Sequence, residues 1–354
     1  MLLVGKGPPD SGGISAMLMT LRRHLTEHYR VDLMNLTREG DYVAGVLSLS
    51  NLGRTIGDVA RLFRLARKFD VVYLHSAFVP AVTIVRAGLL LIVAKSRRAR
   101  TILHVHGGSL PDWMDSKGKR RLTRFVLSFA DAVISVSDGV ADALPSDQTK
   151  TIYNGVDTDV FTPGSTETRD VPVIIYTGLL TRRKGVTDLV EASRLLQEQS
   201  VSHRLVIVGG RPDEGGAEEE EVRAVATGRE RFVGPIPHEA MPAYLQDADI
   251  FCLPSWFEAM PLSILEAMAT GLPIVATRVG QVPDVVTDDF GRLVQPQDPA
   301  ALASALSEVL RDSDLRDRLG ANARASAVRD YSVMTTVSEI VEVIGNVAGQ
   351  PRMA

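Results

Sequence analysis

The chain has only one cysteine among its 354 residues, so no disulfide can form within it. Cys252 lies in an apolar run, which favours a structural role for its thiol in a reducing compartment. Hydrophobic residues make up 45% of the chain and charged residues 23%, the balance of an ordinary globular protein. The length exceeds that of a usual single core, and we therefore expect two domains.

Long hydrophobic runs are also missing. Residues 79–94 form an apolar segment with Arg86 inside it, and these sixteen residues are too short and too polar to span a bilayer. The N-terminus reaches Gly5 after only Leu2-Leu3-Val4, which leaves no charged region followed by an apolar region of secretory-signal length. We therefore expect a cytoplasmic protein.

Several motifs of common enzyme classes are absent from the sequence. It has no Walker A sequence, HExxH, CxxC pair or GxSxG elbow, which argues against a P-loop ATPase, a zinc protease and an α/β-hydrolase. Gly5-Lys6-Gly7 begins a dinucleotide-binding fingerprint, but Asp10 stands at the third glycine position. The dinucleotide-binding interpretation is therefore rejected.

Charge is unevenly distributed. Residues 1–165 hold 21 Lys and Arg against 15 Asp and Glu, whereas the remainder holds 18 against 28. Residues 54–125 alone hold 15 basic residues against four acidic ones, with clusters at 97–100 and 117–121. This bias suggests an anionic partner for the first half of the chain.

Nucleic acid and a membrane surface are the two candidate anionic partners. No zinc finger, RNP or other recognised nucleic-acid-reading motif is visible, so we expect no nucleic-acid partner. Residues 79–94 run directly into Lys95 and the arginine cluster, and such a segment can rest on an anionic leaflet. The alternative is a buried helix with a solvated basic end. Both interpretations stay open, and the protein is expected in the cytoplasm with peripheral binding to the inner membrane face as an option.

Strand-like and helix-like patterns alternate along the whole chain. This alternation predicts an α/β protein built from parallel βαβ units, with ligands at the carboxyl ends of the strands. The polar stretch Thr162–Asp170 is the expected linker, and Arg211–Gly216 is expected to be a surface loop. The strand candidates are 2–4, 71–74, 101–105, 132–136, 173–176, 204–208, 232–233, 250–251 and 274–276.

The sequence of one stretch, Pro254–Pro273, predicts the end of a strand, then a loop, and then a helix that ends within the stretch. Pro261 suits the first turn of a helix, and Gly271 followed by Pro273 ends it. Glu258 then lies in the loop and Glu266 about one turn into the helix. The pair can hold hydroxyl groups of one extended ligand. Alternatively, one carboxylate is merely solvated and the other favours the helix start through the dipole.

Two further loops can approach phosphate. Gly12-Gly13 lies between a strand and a helix, where the backbone can come close to a phosphate at the helix N-terminus. Gly178 opens a second such loop, in which Arg182-Arg183-Lys184 can neutralise a diphosphate. An exposed basic loop is the simpler interpretation of the second stretch.

Taken together, these motifs resemble the retaining glycosyltransferases of family 4 (GT4). The resemblance runs over nearly the whole chain, and its most specific part is the E-x7-E stretch with its continuation. The motifs are Gly12-Gly13-Ile14, His106-Gly107, Asn154-Gly155-Val156-Asp157 with Phe161 and Pro163, Gly178 with Lys184-Gly185, Glu258 to Glu266, Ala267-Met268-Ala269 and Gly271-Leu272-Pro273.

The resemblance implies a GT-B fold, in which two Rossmann-like domains with parallel sheets face an interdomain cleft. The first domain (1–163) would bind the acceptor and the second (171–330) the nucleotide-sugar. A final helix (331–354) would cross back to the first domain. It also implies a sugar or lipid-linked acceptor, no metal and no cofactor beyond the nucleotide-sugar co-substrate.

The family's roles transfer to matching positions of this sequence. The resemblance implies three catalytic residues: His106 near the reacting sugar, Lys184 at the leaving diphosphate and Glu258 at the sugar hydroxyls. Glu266 would bind the ribose. The other implied donor-binding residues are Gly12, Gly13, Gly178, Gly234, Ile236, Ala259, Met260, Pro261, Leu262 and Ser263, with the amides of Met260, Leu262 and Ser263 facing sugar or phosphate. Arg182 and Arg183 are further donor-binding candidates because of their charge.

One position departs from the family pattern. The family usually has arginine directly after Gly178, whereas this chain has Leu179. Arg182 or Arg183 is the hypothetical replacement. We expect front-face retaining transfer in polysaccharide or glycolipid assembly, which His106, Lys184, Glu258 and Glu266 favour. The alternatives are nucleotide-sugar epimerisation or hydrolysis and silent binding of a sugar nucleotide.

Overall fold

The computed structural model describes residues 1–10, 12–37, 49–146, 149–164, 170–210 and 212–349. They fall into two compact units. Unit 1 comprises Met1–Asn154 with Val333–Ala354, and unit 2 comprises Gly155–Ser332. Each unit has its own sheet and core.

Unit 1 is built on a parallel sheet of six strands in the order β2-β1-β3-β4-β5-β6. The strands between the edges read as short apolar runs because helices cover both faces of a parallel sheet. The strands are β1 (Leu2–Gly5), β2 (Asp32–Asn35), β3 (Val71–Ser76), β4 (Arg100–Val105), β5 (Ala132–Ser135) and β6 (Thr149–Thr151).

The helices of unit 1 alternate with these strands. They are α1 (Gly13–Leu25), α2 (Leu49–Leu65), α3 (Ala81–Ser96), α4 (Leu110–Trp113), α5 (Lys117–Leu127) and α6 (Asp138–Ala143). Four apolar residues at helical spacing in α1 are buried: Met17, Leu18, Leu21 and Leu25. Helix α6 begins after Ser137, whose side chain accepts a hydrogen bond from the Val140 amide and so caps the helix.

Unit 2 also contains a parallel sheet of six strands, ordered β12-β11-β10-β7-β8-β9. Counted from the unit's first strand, this is the 3-2-1-4-5-6 order of a Rossmann fold. The strands are β7 (Val173–Gly178), β8 (Arg204–Gly209), β9 (Glu230–Gly234), β10 (Ile250–Leu253), β11 (Ile274–Thr277) and β12 (Gly291–Val294).

The helices of unit 2 are α7 (Val186–Glu198), α8 (Pro212–Val225), α9 (Met241–Gln246), α10 (Leu262–Ala269), α11 (Val282–Val285), α12 (Pro299–Arg311) and α13 (Ser313–Asp330). Single 3-10 turns cover Arg182–Lys184 and His238–Ala240. The prediction of a surface loop over Arg211–Gly216 is wrong from Pro212 onward. Proline fits the first turn of a helix, where its missing N–H would be unpaired anyway.

The last helix, α14 (Val333–Gly349), groups with unit 1 and contacts α1 and β4. Its buried face includes Val337, Ile340 and Ile344, at helical spacing. The division between the units falls at Asn154–Gly155. Val156 already belongs to unit 2, where its amide donates to the Tyr331 carbonyl at 2.8 Å. Of the expected linker, residues 165–169 lie outside the described residues.

The apolar segment around Arg86 forms α3, whose inner face is buried against the sheet and α2. The Arg86 guanidinium pairs with the buried Asp58 carboxylate of α2. This helix therefore belongs to the unit's fold, and its charge is neutralised within it. No helix within the described ranges is both long enough and apolar enough to cross a membrane.

The strand order places a topological switch point in each sheet. Chain connections leave in opposite directions from β1 and β3 in unit 1, and from β7 and β10 in unit 2. In open α/β sheets, ligands bind beyond the carboxyl ends of the strands at such points. The candidate residues follow these strands, so the predicted α/β, doubly Rossmann-like fold is confirmed and the sites can be located from it.

Candidate functional site

The candidate donor site of unit 2 centres on Glu258, in the loop that follows β10. Its Oε1 atom accepts a hydrogen bond from Lys184 Nζ at 2.6 Å and one from Ser255 Oγ at 2.7 Å. Lys184 lies in the turn that follows β7, so the switch point brings the two loops together. The side chains are mostly buried, with 17% of Lys184 and 9% of Glu258 exposed. Glu258 is therefore held in place before any ligand binds.

The turn that carries Lys184 is fixed to the loop that carries Glu258. The Trp256 amide donates to the Arg183 carbonyl at 2.8 Å, and the Trp256 indole N–H donates to Asp188 Oδ2 at 2.6 Å. Burial raises the pKa of Asp188, and the indole hydrogen bond acts in the opposite direction. Gly185 has φ +62°, and a Cβ there would lie 2.0 Å from the Pro254 carbonyl oxygen. Only glycine permits this approach.

A third loop supports Glu258 from behind. Gly280, after β11, has φ +51°, and a Cβ there would lie 1.9 Å from the Glu258 carbonyl oxygen. The Gln281 amide also donates to the Ala259 carbonyl at 3.2 Å. The loop that carries Glu258 therefore contacts the loops after both β7 and β11.

Helix α10 begins where this loop ends. Pro261 is the residue before its first turn, and the amides of Leu262 and Ser263 belong to that turn. First-turn N–H groups lack intrahelical acceptors and favour anions or polar oxygens. At the other end of the helix, the Arg324 guanidinium of α13 donates to the Ala269 carbonyl at 2.6 Å. This cation suits the negative end of the helix dipole.

Glu266 lies one turn into α10 and is only 7% exposed. Its Oε1 atom is 2.7 Å from His238 Nε2, in the turn that follows β9. His238 also lies beside the Phe161 ring, with ring centroids 5.7 Å apart. Gly234 and Ile236, the residues expected to border the base, precede His238 in the same connection. The structure therefore brings Glu266 and this connection to one place.

The two candidate arginines differ in their surroundings. The Arg182 guanidinium binds both carboxylate oxygens of Glu221 on α8 at 2.9 Å and is exposed. The Arg183 guanidinium lies 5.9 Å from the ring centroid of Phe257, the residue before Glu258. Leu179 is half-buried, and its carbonyl accepts a 2.6 Å hydrogen bond from the buried Tyr176 hydroxyl. Arg183 is thus the arginine that the structure places next to the Glu258 loop.

In unit 1, His106 belongs to a cluster of three histidines. His75 near the end of β3 and His104 in β4 are register partners, and His106 follows two residues after His104. His75 Nδ1 lies 3.0 Å from His106 Nε2, and His104 Nδ1 lies 2.8 Å from the Tyr73 hydroxyl. Burial lowers the pKa of His106 to about 3 and those of His75 and His104 well below the usual value. All three imidazoles are therefore neutral at pH 7.

Gly12 and Gly13 stand where the chain enters α1, beyond the carboxyl end of β1. The Gly12 amide donates to Asp10 Oδ1 at 2.8 Å. The Gly7 amide donates to Asn35 Oδ1 at 2.9 Å. Asp10, which breaks the dinucleotide fingerprint, therefore shapes this loop. Gly13 is exposed at the first turn of α1.

Sequence reasoning missed three residues of these sites. Ser255 and His238 hold the two glutamates, and His75 contacts His106. Ser255 lies three residues before Glu258 in the same loop, and it could have been considered from that proximity. The other two contacts join residues 28 and 31 positions apart in the chain, and only the strand order brings them together.

Two family models match the chain in succession. Glycosyltransferase Family 4 matches residues 11–160, and Glycosyl transferases group 1 matches residues 159–326. The chain belongs to the GT4 glycosyltransferase family. The resemblance inferred from the motifs is thereby confirmed. The two matches meet close to the division between the units.

Relatives and solved structures agree with this membership. D-inositol 3-phosphate glycosyltransferase of Corynebacterium urealyticum is 32% identical over 266 residues, which is 68% of this chain and 62% of the relative. The match thus spans less than two thirds of that relative's length. Sucrose-phosphate synthase from Thermosynechococcus elongatus superposes with a TM-score of 0.77 at 20% identity, covering 98% of both chains. Anabaena Alr3699/HepE in complex with UDP-glucose gives a TM-score of 0.78 at 20% identity, covering 98% of this chain and 99% of that chain. These structural similarities establish the fold.

Proposed function

We propose that the protein is a retaining glycosyltransferase that moves a sugar from a nucleoside-diphosphate sugar to an acceptor hydroxyl. The observation that carries the proposal is the preformed Lys184–Glu258 pair at the switch point of unit 2, followed by Glu266 on α10. A cation, a first-turn helix and two buried carboxylates suit the diphosphate and the hydroxyl-rich parts of one donor. A relative named as a glycosyltransferase and a structural neighbour solved with UDP-glucose agree with this donor class.

The leaving group is the part of the reaction that needs stabilisation. As the bond between the anomeric carbon and the diphosphate breaks, negative charge builds on the diphosphate and positive character on the sugar. Lys184 Nζ and the amides of Met260, Leu262 and Ser263, all in unit 2, are the proposed stabilising groups. Preorganised donors of this kind typically contribute about 2.7–4 kcal/mol each to transition-state stabilisation. We therefore propose that transfer does not require a metal.

Glu258 is proposed to bind and orient the transferred sugar. Its Oε1 atom already accepts two hydrogen bonds, which suits a fixed acceptor for sugar hydroxyls better than a mobile nucleophile. We favour front-face substitution over a covalent glycosyl-enzyme intermediate. The acceptor oxygen bonds to the anomeric carbon on the face that the diphosphate leaves. The acceptor's proton passes to the departing phosphate oxygen, which balances the reaction and retains configuration.

Glu266 and His106 complete the proposed donor contacts. Glu266 would accept from the ribose hydroxyls while His238 holds one of its oxygens. The neutral imidazole of His106 would contact the transferred sugar as a hydrogen-bonding group. Arg183 is the better candidate for the second cation that the family places at Leu179, because Arg182 is engaged by Glu221. Gly178 would let the backbone approach the diphosphate, and Gly234 and Ile236 would border the base.

The acceptor is proposed to be lipid-linked or anionic, as in polysaccharide or glycolipid assembly on the inner membrane face. Helix α2 supports this, because its exposed apolar side chains lie on one stripe: Leu49 (89% exposed), Leu52 (58%), Ile56 (61%) and Phe63 (47%). The adjoining helix α3 also has three exposed apolar side chains: Val85, Leu89 and Ile92. Arg97 lies 4.3 Å from the Phe63 ring centroid, so basic charge borders the apolar stripe. Such a surface suits an anionic leaflet.

The proposed function can be tested in two steps. Thermal-shift measurements with UDP, GDP and ADP identify the base through the largest increase in Tm. The matching nucleotide-sugars are then incubated with the protein, with and without membrane extract. Nucleotide release that depends on the extract supports transfer. Release without the extract would indicate hydrolysis instead, and binding without release would indicate a silent sugar-nucleotide-binding protein.

A further inference from the structure

Three imidazoles meet at the carboxyl edge of the sheet in unit 1. Pairing of His75 with His104 across β3 and β4 puts the two residues side by side on one face of the sheet. His106 lies two residues beyond His104, and the twofold repeat of an extended chain places it on the same side. The cluster is therefore set by the strand register.

The spacing of the three rings suits metal ligation. One nitrogen of each ring lies within 4.8 Å of the other two, and the three centroid separations are 4.3, 5.0 and 5.2 Å. A tetrahedral zinc ion with Zn–N bonds of about 2.0–2.1 Å needs nitrogens roughly 3.4 Å apart. Binding of one ion requires the rings to rotate, because His75–His106 and His104–His106 are stacked, with interplanar angles of 21° and 26°.

Two of these nitrogens require a partner. His75 Nε2 and His104 Nε2 are buried and accept or donate no hydrogen bond among the residues that the structure describes. His75 is 4% exposed and His104 is fully buried. Buried polar atoms of folded proteins are nearly always paired, so two unpaired nitrogens in one cluster point to a ligand.

Tyr73 supplies the outer support that metal-binding histidines usually have. Its hydroxyl lies 2.8 Å from His104 Nδ1 and is fully buried behind the cluster. When His104 Nδ1–H donates to the Tyr73 oxygen, the lone pair of His104 is on Nε2, the orphaned atom. The other ring nitrogen of a metal ligand is typically engaged in this way.

We propose that His75, His104 and His106 form a binding site for a divalent transition metal ion, with zinc as the best fit. The ligand atoms are Nε2 of His75, Nε2 of His104 and one ring nitrogen of His106. Three neutral imidazoles suit zinc, nickel or cobalt and suit magnesium or calcium poorly, because the latter prefer oxygen ligands.

The site has a consequence for the transfer reaction, and this consequence rests on the proposed function. A metal bound to His106 occupies a ring nitrogen that would otherwise contact the sugar. Zinc is therefore an inhibitor of transfer, and a chelator restores the rate. Metal is not required for the reaction in this scheme.

The site itself is tested by metal binding. The full chain without a histidine tag is stripped with EDTA, dialysed against zinc, and its bound metal measured by mass spectrometry. We expect one zinc ion per chain that is lost in His75→Ala/His104→Ala and retained in His28→Ala, an exposed histidine of the same unit. Equal zinc content in all three proteins would overturn the proposal.

A second measurement requires no variant and guards against misfolding of the double substitution. X-ray absorption of zinc on the unaltered protein counts its imidazole ligands, and three support the site. A zinc ion bound by fewer than three imidazoles would overturn it. Zinc binding with an unchanged transfer rate would keep the metal site and reject only the inhibitory consequence.

Discussion

Glu258 is the residue on which the contacts of the unit 2 site converge. Lys184 and Ser255 hold the same carboxylate oxygen, and Gly280 approaches its backbone carbonyl. Desolvating two charges is costly, and a buried ion pair recovers this only while both partners are present. The stability of the protein is therefore sensitive to the loss of either Lys184 or Glu258. A charged or polar group of a ligand can replace one of the two side chains as the partner of the other.

Removing Lys184 alone should destabilise the protein. In Lys184→Met, we expect the free energy of unfolding to fall by about 3 kcal/mol, because the mostly buried Glu258 carboxyl group would lose its ion-pair partner. Lys184→Met/Glu258→Gln should lose less than the two single substitutions added together, because neither charge remains unpaired. Transfer should fall about 10²–10³-fold in both proteins that lack Lys184. Urea unfolding and initial rates measure these effects.

Arg194→Met is the matched control for Lys184→Met. Arg194 pairs with Glu191 and Glu198 on the exposed face of α7, where an ion pair contributes at most about 1 kcal/mol. Its stability and transfer rate should stay near those of the unaltered protein. Additive losses in the Lys184 and Glu258 double-mutant cycle would show that the two side chains are not coupled.

Gly280 lies against the backbone of Glu258, where a side chain has no room. Gly280→Ala places a Cβ 1.9 Å from the Glu258 carbonyl, so the loop must shift and carry Glu258 with it. Gly228→Ala has similar backbone strain at φ +83°, yet its Cβ meets no atom within 4 Å among the described residues. We expect Gly228→Ala to lose about 1 kcal/mol of stability and to keep nucleotide affinity. Gly280→Ala should lose more stability and also bind nucleotide more weakly. Equal behaviour in urea unfolding and nucleotide titration would contradict this account of the loop.

At the scale of elements, the sequence predicted the central strands and one edge strand, β9, and missed the other three edge strands. Strands such as β4 and β7 are short apolar runs because helices bury both of their faces. The missed strands are polar or only partly buried. They are β2 (Asp32–Asn35), β6 (Thr149–Thr151) and β12 (Gly291–Val294), each at the edge of its sheet. Their sequences resemble loops, and pairing with a neighbour is what makes them strands.

The residues of the candidate site also fall into those that the sequence reveals and those that it does not. Glu258 and Glu266 could be found because they lie eight residues apart in one continuous motif. His238, which holds Glu266, follows β9, and β9 is separated from β10 by β7 and β8 in the sheet. A contact of this kind depends on strand order, which periodicity along the chain does not reveal. His75 beside His106 is a second example in unit 1.

Helix α2 has exposed apolar side chains along one stripe. Leu52→Glu and Ile56→Glu each replace an apolar side chain on the exposed stripe with a charge that an anionic leaflet repels. We expect each to weaken binding to vesicles of phosphatidylcholine and phosphatidylglycerol about tenfold or more, since burying such a side chain contributes about 1.5–3 kcal/mol. Val328→Glu, at a 47% exposed position of unit 2, should leave binding unchanged. Vesicle co-sedimentation compares the three, and equal binding would remove α2 from the membrane surface.

The whole molecule consists of two units with different chain connectivity. Unit 2 is one continuous segment, Gly155–Ser332, whereas unit 1 requires both ends of the chain. The contacts that hold Lys184, Glu258 and Glu266 all lie inside unit 2. In unit 1, α14 has a buried apolar face. A chain that ends before α14 would expose the residues that pack against this face. The units should therefore respond differently to dissection.

Expressing residues 155–332 alone tests this difference. Because the segment has its own sheet, core and donor contacts, we expect cooperative unfolding and nucleotide affinity within about tenfold of the full chain. Residues 1–154 alone should unfold at lower temperature or aggregate, because the partners of Val337, Ile340 and Ile344 would be exposed to water. Circular dichroism and nucleotide titration measure both fragments. A folded 155–332 segment that binds no nucleotide would mean that the donor site depends on residues outside unit 2.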